Sequence, residues 1–118
     1  MGKVVAIHQK RFFDLDEARD LFPVILRLTK TAHQKARFLN AQLNYVKDKE
    51  KKTILENQIQ GVFQEWQAKV RKLGCEAKGM WLVDFDNGEG YFCWHYPEPD
   101  IHYYHGYLDG YRGRVKVH

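Results

Sequence analysis

The sequence predicts an α+β fold in which a long antiparallel helical hairpin packs with a small antiparallel β-sheet of about three strands. Three observations predict it. Two separate stretches place apolar residues at alternating steps of three and four, each after a capping signal. The span from Met80 to His105 holds three short β runs divided by turn residues. At 118 residues the chain is long enough for one core without disulfides or metal. A single domain over 1–118 is expected, with a helical hairpin over 15–73 broken at Pro23, a β-meander over 79–105 and a Gly/Tyr/Arg-rich segment over 106–118.

Val4 to Ile7 is a short apolar run that reads either as an edge strand or as an ordered tail. The first helix opens near Leu15. Asp14 is a good N-cap, Glu17 completes a capping box, and Asp16 and Glu17 suit the positive end of the helix dipole. Pro23 lacks an amide hydrogen and crowds the preceding turn, so a short helix ending near Phe22 is expected, then a long one with Pro23 in its first turn; one kinked helix is the alternative. Ile25, Leu28, Ala32, Ala36, Leu39, Leu43 and Val46 form the apolar stripe, with Arg27, Lys30, Gln34 and Arg37 opposite. A turn between Tyr45 and Thr53 reverses the chain, and Thr53 with Glu56 is a second capping-box candidate. Leu55, Ile59, Val62, Trp66, Val70 and Leu73 carry the next stripe, widened by Phe63 and stopped by Gly74. Gly61, inside that helix at about 1 kcal/mol against alanine, is expected to mark close approach of a packed backbone. A helix of roughly 24 residues spans about 36 Å, more than three strands cover, so part of the stripe needs another partner. A second copy of the chain is the simplest one.

In the sheet, Trp81–Phe85 and Tyr91–His95 flank Asp86-Asn87-Gly88-Glu89-Gly90, a loop whose Asn-Gly pair suits a hairpin. Pro97-Glu98-Pro99 then turns the chain into a third run, Ile101–His105. Neither face is cleanly polar, so both want cover: one by the helices, the other by a partner, a ligand or the C-terminal segment.

Composition narrows the function classes. No apolar run approaches the ~18 residues of a membrane helix, and the four-residue run at Val4 to Ile7 is too short for a signal peptide's core. A cytoplasmic location is therefore expected. Cys75 and Cys93 form no Cys-x-x-Cys pair, which argues against a disulfide framework or a zinc finger. The net charge of +4 is uneven: 15 Lys/Arg face 8 Asp/Glu up to Leu73, against 4 and 7 from Gly74 onward. Signs alternate from Lys47 to Lys52, as on a solvated helix end, so nucleic-acid binding is not expected.

Individually the short motifs are weak, but their order is specific. Lys78-Gly79-Met80-Trp81-Leu82-Val83-Asp84-Phe85, Gly90-Tyr91-Phe92-Cys93-Trp94-His95-Tyr96-Pro97-Glu98, then Ile101, Tyr104-His105 and Gly110-Tyr111-Arg112-Gly113-Arg114 follow one another, behind the Glu-Ala and Phe-Pro of the stretch Asp14 to Thr29. In this order the chain resembles the bacterial "domain of unknown function 2203" family over nearly its whole length. It departs from the family pattern at His95, where an arginine is expected after Cys-Trp. The resemblance implies a small protein of helical hairpin plus sheet, and no established activity.

The residues themselves offer one polar cluster, Asp84, Glu98, His105 and Arg114, with Trp81, Trp94 and Tyr104 as aromatic lining. A carboxylate beside an imidazole can orient it for acid–base work or metal ligation; equally, such residues can simply bond the sheet to the C-terminal loop. A metal set of Glu98, His102 and His105 needs a bend, because residues three apart on a strand face opposite ways. Cys93 and His95 share a strand face, which allows a thiolate–imidazole pair or a buried structural cysteine. Asp84 to Gly88 is a hairpin loop rather than a calcium loop, since its glycine comes one residue early and no glutamate closes it. The glycines, aromatics and arginines of 106–114 suit either phosphate recognition or an ordered loop over the sheet, and the loop is preferred. The sequence thus predicts a non-enzymatic binding or assembly module, a homodimer needing no cofactor. The alternative is a small enzyme, or a protein binding a divalent metal or small anionic ligand, built on the acid–His–Arg cluster.

Overall fold

The computed structural model describes residues 11–117; the Val4 to Ile7 run lies outside them. Helix α1 spans Leu15–Leu43 and α2 spans Lys49–Lys72, two long helices packed as a hairpin. The capping box forms as drawn, with Asp14 accepting from the Glu17 amide at 2.8 Å and Glu17 accepting from the Asp14 amide at 2.9 Å. No break occurs at Pro23, which lies inside α1. Its missing hydrogen bond and clash cost about 3 kcal/mol. Phe22 and Ile25 on either side are buried, each returning about 1.5–3 kcal/mol, so the packed face carries the helix through the proline.

Two other expectations for the hairpin are corrected. Helix α2 is capped by Asp48, whose side chain accepts from the Lys51 amide, and not by Thr53. Thr53 lies in the first turns, its hydroxyl donating to the Lys49 carbonyl. Asp48 wins because it stands next to the turn and spares five more residues for the helix. Gly61 is not a point of close approach: a Cβ there would meet nothing within 4 Å.

The helices are tied near their sheet-bound ends by a buried polar link. Thr29 donates to the Ile25 carbonyl at 2.8 Å and accepts from the Trp66 indole N–H at 2.8 Å, so both buried polar groups are satisfied without water.

The sheet has five strands, not three: β1 Glu76–Gly79, β2 Leu82–Asp86, β3 Gly90–His95, β4 Tyr103–Gly106 and β5 Val115–Lys116, an antiparallel meander in chain order. The extra strands are short edges with no strong propensity of their own. Glu76-Ala77-Lys78 forms because β2 supplies the ladder, and Val115-Lys116 because β4 does. Trp81, between β1 and β2, takes a left-handed backbone (φ 63°), which a bulky residue adopts only when its surroundings hold it there. Trp66 and Phe63 do so, with ring centroids 5.1 and 5.8 Å away.

Register sorts the strand residues onto two faces. Val83 pairs with Trp94 and Phe85 with Phe92, which pairs with Tyr104; these face the helices, where Trp94 meets Phe22 edge-on at 5.3 Å and Phe85 meets Phe13 at 5.5 Å. Asp84 pairs with Cys93, Cys93 with Tyr103, and Tyr91 with His105; these face away. The sequence left the cover of this second face open, and the C-terminal segment provides it. Tyr107 stacks edge-on over Tyr91 and Tyr111 over His95.

Candidate functional site

The outer face of the sheet carries a buried polar chain. The hairpin loop sets it up. Asn87 accepts from the Glu89 and Gly90 amides through its side chain, closing the turn so that Asp86 opposes Tyr91 and, two residues back, Asp84 opposes Cys93. Strand β4 then brings His105 beside Tyr91. Asp84, Cys93 and His105 are 2%, 0% and 4% exposed.

His105 is held at both ring nitrogens. Its Nδ1 lies 2.8 Å from the Gly106 carbonyl, and its Nε2 lies 3.2 and 3.1 Å from the two oxygens of Asp84. The Gly106 carbonyl only accepts, which places a hydrogen on Nδ1. In the chain as it stands, a further proton must then lie between Nε2 and the carboxylate, since two lone pairs would otherwise face each other. Burial pushes the Asp84 carboxyl above its ordinary value, more than the His105 charge and the hydrogen bonds from Cys93 and His105 pull it down. Burial, with the Asp84 charge added, pushes the Cys93 thiol up to about 12, against a smaller opposing pull from Arg114. Cys93 is therefore a thiol close to Asp84, not a poised nucleophile.

On the far side of Cys93 stands Arg114. It pairs with Glu98 at 2.9 Å, and its guanidinium lies over the rings of Tyr103 and Tyr111 at 3.9 and 4.2 Å. Glu98 also accepts from the His95 amide at 2.9 Å. The four residues of the predicted cluster thus fall into two pairs, Asp84–His105 and Glu98–Arg114, joined through Cys93. His102 is tied into the C-terminal ladder, its carbonyl accepting from the Val117 amide. Among the described residues, the groups whose ligand atoms lie within 4.8 Å of one another are Asp84, Cys93 and His105, not Glu98, His102 and His105.

The aromatic lining is also redistributed. Trp94 and Tyr104 lie on the helix-facing side of the sheet, one pleat away from the cluster. Trp81 lines a different concavity of about 430 Å³ between the hairpin and the β1–β2 turn, with His33, Arg37 and Phe63. Tyrosines 91, 103, 107 and 111 surround the polar chain instead. Along the strand, the sequence sets Cys93 beside His95. Counting back from the hairpin loop finds its real neighbour, because closure at Asp86 and Tyr91 forces Asp84 opposite Cys93.

A second surface stands apart. Fully buried residues on α1 end at Ala32, and those on α2 begin at Trp66. Beyond them the hairpin extends as an arm whose stripe is only half covered, and Tyr45, Val46, Ile54 and Leu55 line an open apolar hollow at its tip. The radius of gyration is 16.4 Å, against about 13.5 Å for a compact chain of this length.

The family model described as "Uncharacterized conserved protein (DUF2203)" matches residues 11–117. The chain belongs to the DUF2203 family. The match covers both helices and all five strands, so the buried polar chain and the arm both lie within this DUF2203 domain. No curated protein and no solved structure matches the chain. Among the described residues of this DUF2203 protein, no helix is long and apolar enough to cross a membrane.

Proposed function

We propose that the protein is a non-enzymatic assembly module that works as a homodimer, joined through the distal half of its hairpin. One observation carries this: Phe38, Tyr45 and Ile54 on the arm are 66%, 87% and 56% exposed, next to a stripe with no sheet beneath it. Phe38 lies on the last turns of α1 and Tyr45 just past its C-terminal cap. At roughly 200 Å² per aromatic side chain, these three residues offer about 400 Å². A standard interface takes about 800 Å² from each partner, and the half-buried Leu39, Leu43, Val46 and Leu55 supply further area. A second copy is the occupant because two such arms, each half of a four-helix bundle, bury the same patch against itself and close the assembly at two. Two free, buried cysteines fit the cytoplasmic setting of the proposal.

The rival, an acid–His–Arg cluster acting on an anionic substrate, is opposed by Arg114, whose charge is already matched by Glu98 at 2.9 Å. To test the assembly, Tyr45→Arg and Ile54→Arg are placed on the arm and the variants sedimented beside wild type. Both side chains are exposed in the single chain, so helicity by circular dichroism should stay unchanged while the variants sediment as monomers. Variants that keep the wild-type sedimentation coefficient would overturn the arm as the interface.

A further inference from the structure

We propose that Asp84, Cys93 and His105 form a Zn²⁺-binding site on the outer face of the sheet. The site is independent of the assembly proposal, lying on the far side of the sheet from the helices.

The donor set is the first argument. One carboxylate oxygen, one sulfur and one imidazole nitrogen lie within 4.8 Å of one another, on residues at most 4% exposed. Asp84 and His105 are already at 3.1 Å, so closing the trio on an ion moves Cys93 and the others by small side-chain adjustments. A mixed S, N, O set of three suits zinc. Calcium and magnesium require six or more oxygens, and an all-thiolate set would point to other metals. Three protein ligands leave one tetrahedral position for water.

Orientation of the histidine is the second. Metal-ligating histidines donate their other ring N–H to a carbonyl or carboxylate, which fixes the tautomer. His105 already does this: Nδ1 donates to Gly106, directing Nε2 at Asp84 and Cys93.

Charge is the third. A thiolate, a carboxylate and a neutral imidazole carry two negative charges, which a divalent ion cancels. The metal-free trio is also neutral, with one proton on sulfur and one between Asp84 and His105. Exchange of two protons for Zn²⁺ leaves the net charge of a buried site unchanged, so no uncompensated charge is left out of water. Arg114 does not upset this balance, being paired to Glu98.

The test uses the full chain, tagless and purified without chelators. Native mass spectrometry should find one zinc per subunit, and Co²⁺ added to the chelated protein should give near-ultraviolet thiolate-to-cobalt absorption with intense tetrahedral visible bands. Cys93→Ser, close to isosteric, should abolish the thiolate band and weaken binding by more than about 100-fold, since loss of even an outer-shell partner costs about 10- to 100-fold. Glu98→Gln and His102→Gln should bind as wild type. If Cys93→Ser fails to fold by circular dichroism, His105→Gln is read in its place. The proposal is overturned if wild type takes up neither ion, if cobalt binds with no thiolate band, or if uptake survives in the Cys93 and His105 variants.

Discussion

Replacing His105 with leucine tests whether the buried pair is held together by mutual need. The change removes the histidine that faces Asp84 and leaves a carboxyl group at 2% exposure beside the Cys93 thiol. Breaking one side of a buried ion pair costs about 3–5 kcal/mol. For a chain of this size 1 kcal/mol moves Tm by about 4 °C, so a fall of roughly 12–20 °C is expected in chelated protein. Replacing both partners, Asp84→Val with His105→Leu, removes the stranded charge along with its partner and should recover most of the loss. The deficit should also depend on pH, with a definite sign. Burial holds the folded Asp84 carboxyl above its ordinary 3.8, so the folded state binds this proton more tightly than the unfolded one. Stability from this group is then present below 3.8 and is lost as pH rises through the folded value. Loss of the His105 charge pushes that value higher still. Urea unfolding followed by tryptophan fluorescence should therefore find His105→Leu closest to wild type near pH 4 and farthest near neutrality. A single variant no worse than the double one, with a deficit indifferent to pH, would mean that Asp84 does not depend on His105.

Gly61→Ala should raise stability by up to about 1 kcal/mol, because a methyl group there meets nothing within 4 Å; a thermal melt checks it. Gly90→Ala should have the opposite effect, since its Cβ would collide with the Tyr104 ring and the His105 carbonyl, and urea unfolding should show a loss of roughly 1–3 kcal/mol. Cys75 and Cys93, both pushed to about 12 chiefly by burial, should resist a thiol reagent at pH 8 in the native protein and react at once in denaturant.

Much of the fold was legible because local signals agreed. The Asp14–Glu17 box, the two stripes and the Asn-Gly loop each have a local physical cause, and each lies where the sequence puts it. Pro23 misled because propensity is local while the burial of Phe22 and Ile25 is tertiary. The edge strands were hidden for the same reason: Glu76-Ala77-Lys78 has no strand signal, and pairing with β2 alone makes it one. At the site, alternation decided the outcome. Asp84 and His105 meet as the sequence suggests, but Trp94 and Tyr104 occupy positions of the other parity and belong to the core. Cys93 was underrated because its partner lies across a hairpin rather than along the strand.

The measurement that bears most directly on the assembly proposal is sedimentation equilibrium of the wild-type chain across micromolar concentrations. A homodimer should give a mass of twice 14.0 kDa, dissociating only on dilution. A single species at 14.0 kDa throughout would contradict it, and would mean that the exposed arm meets something other than its own copy.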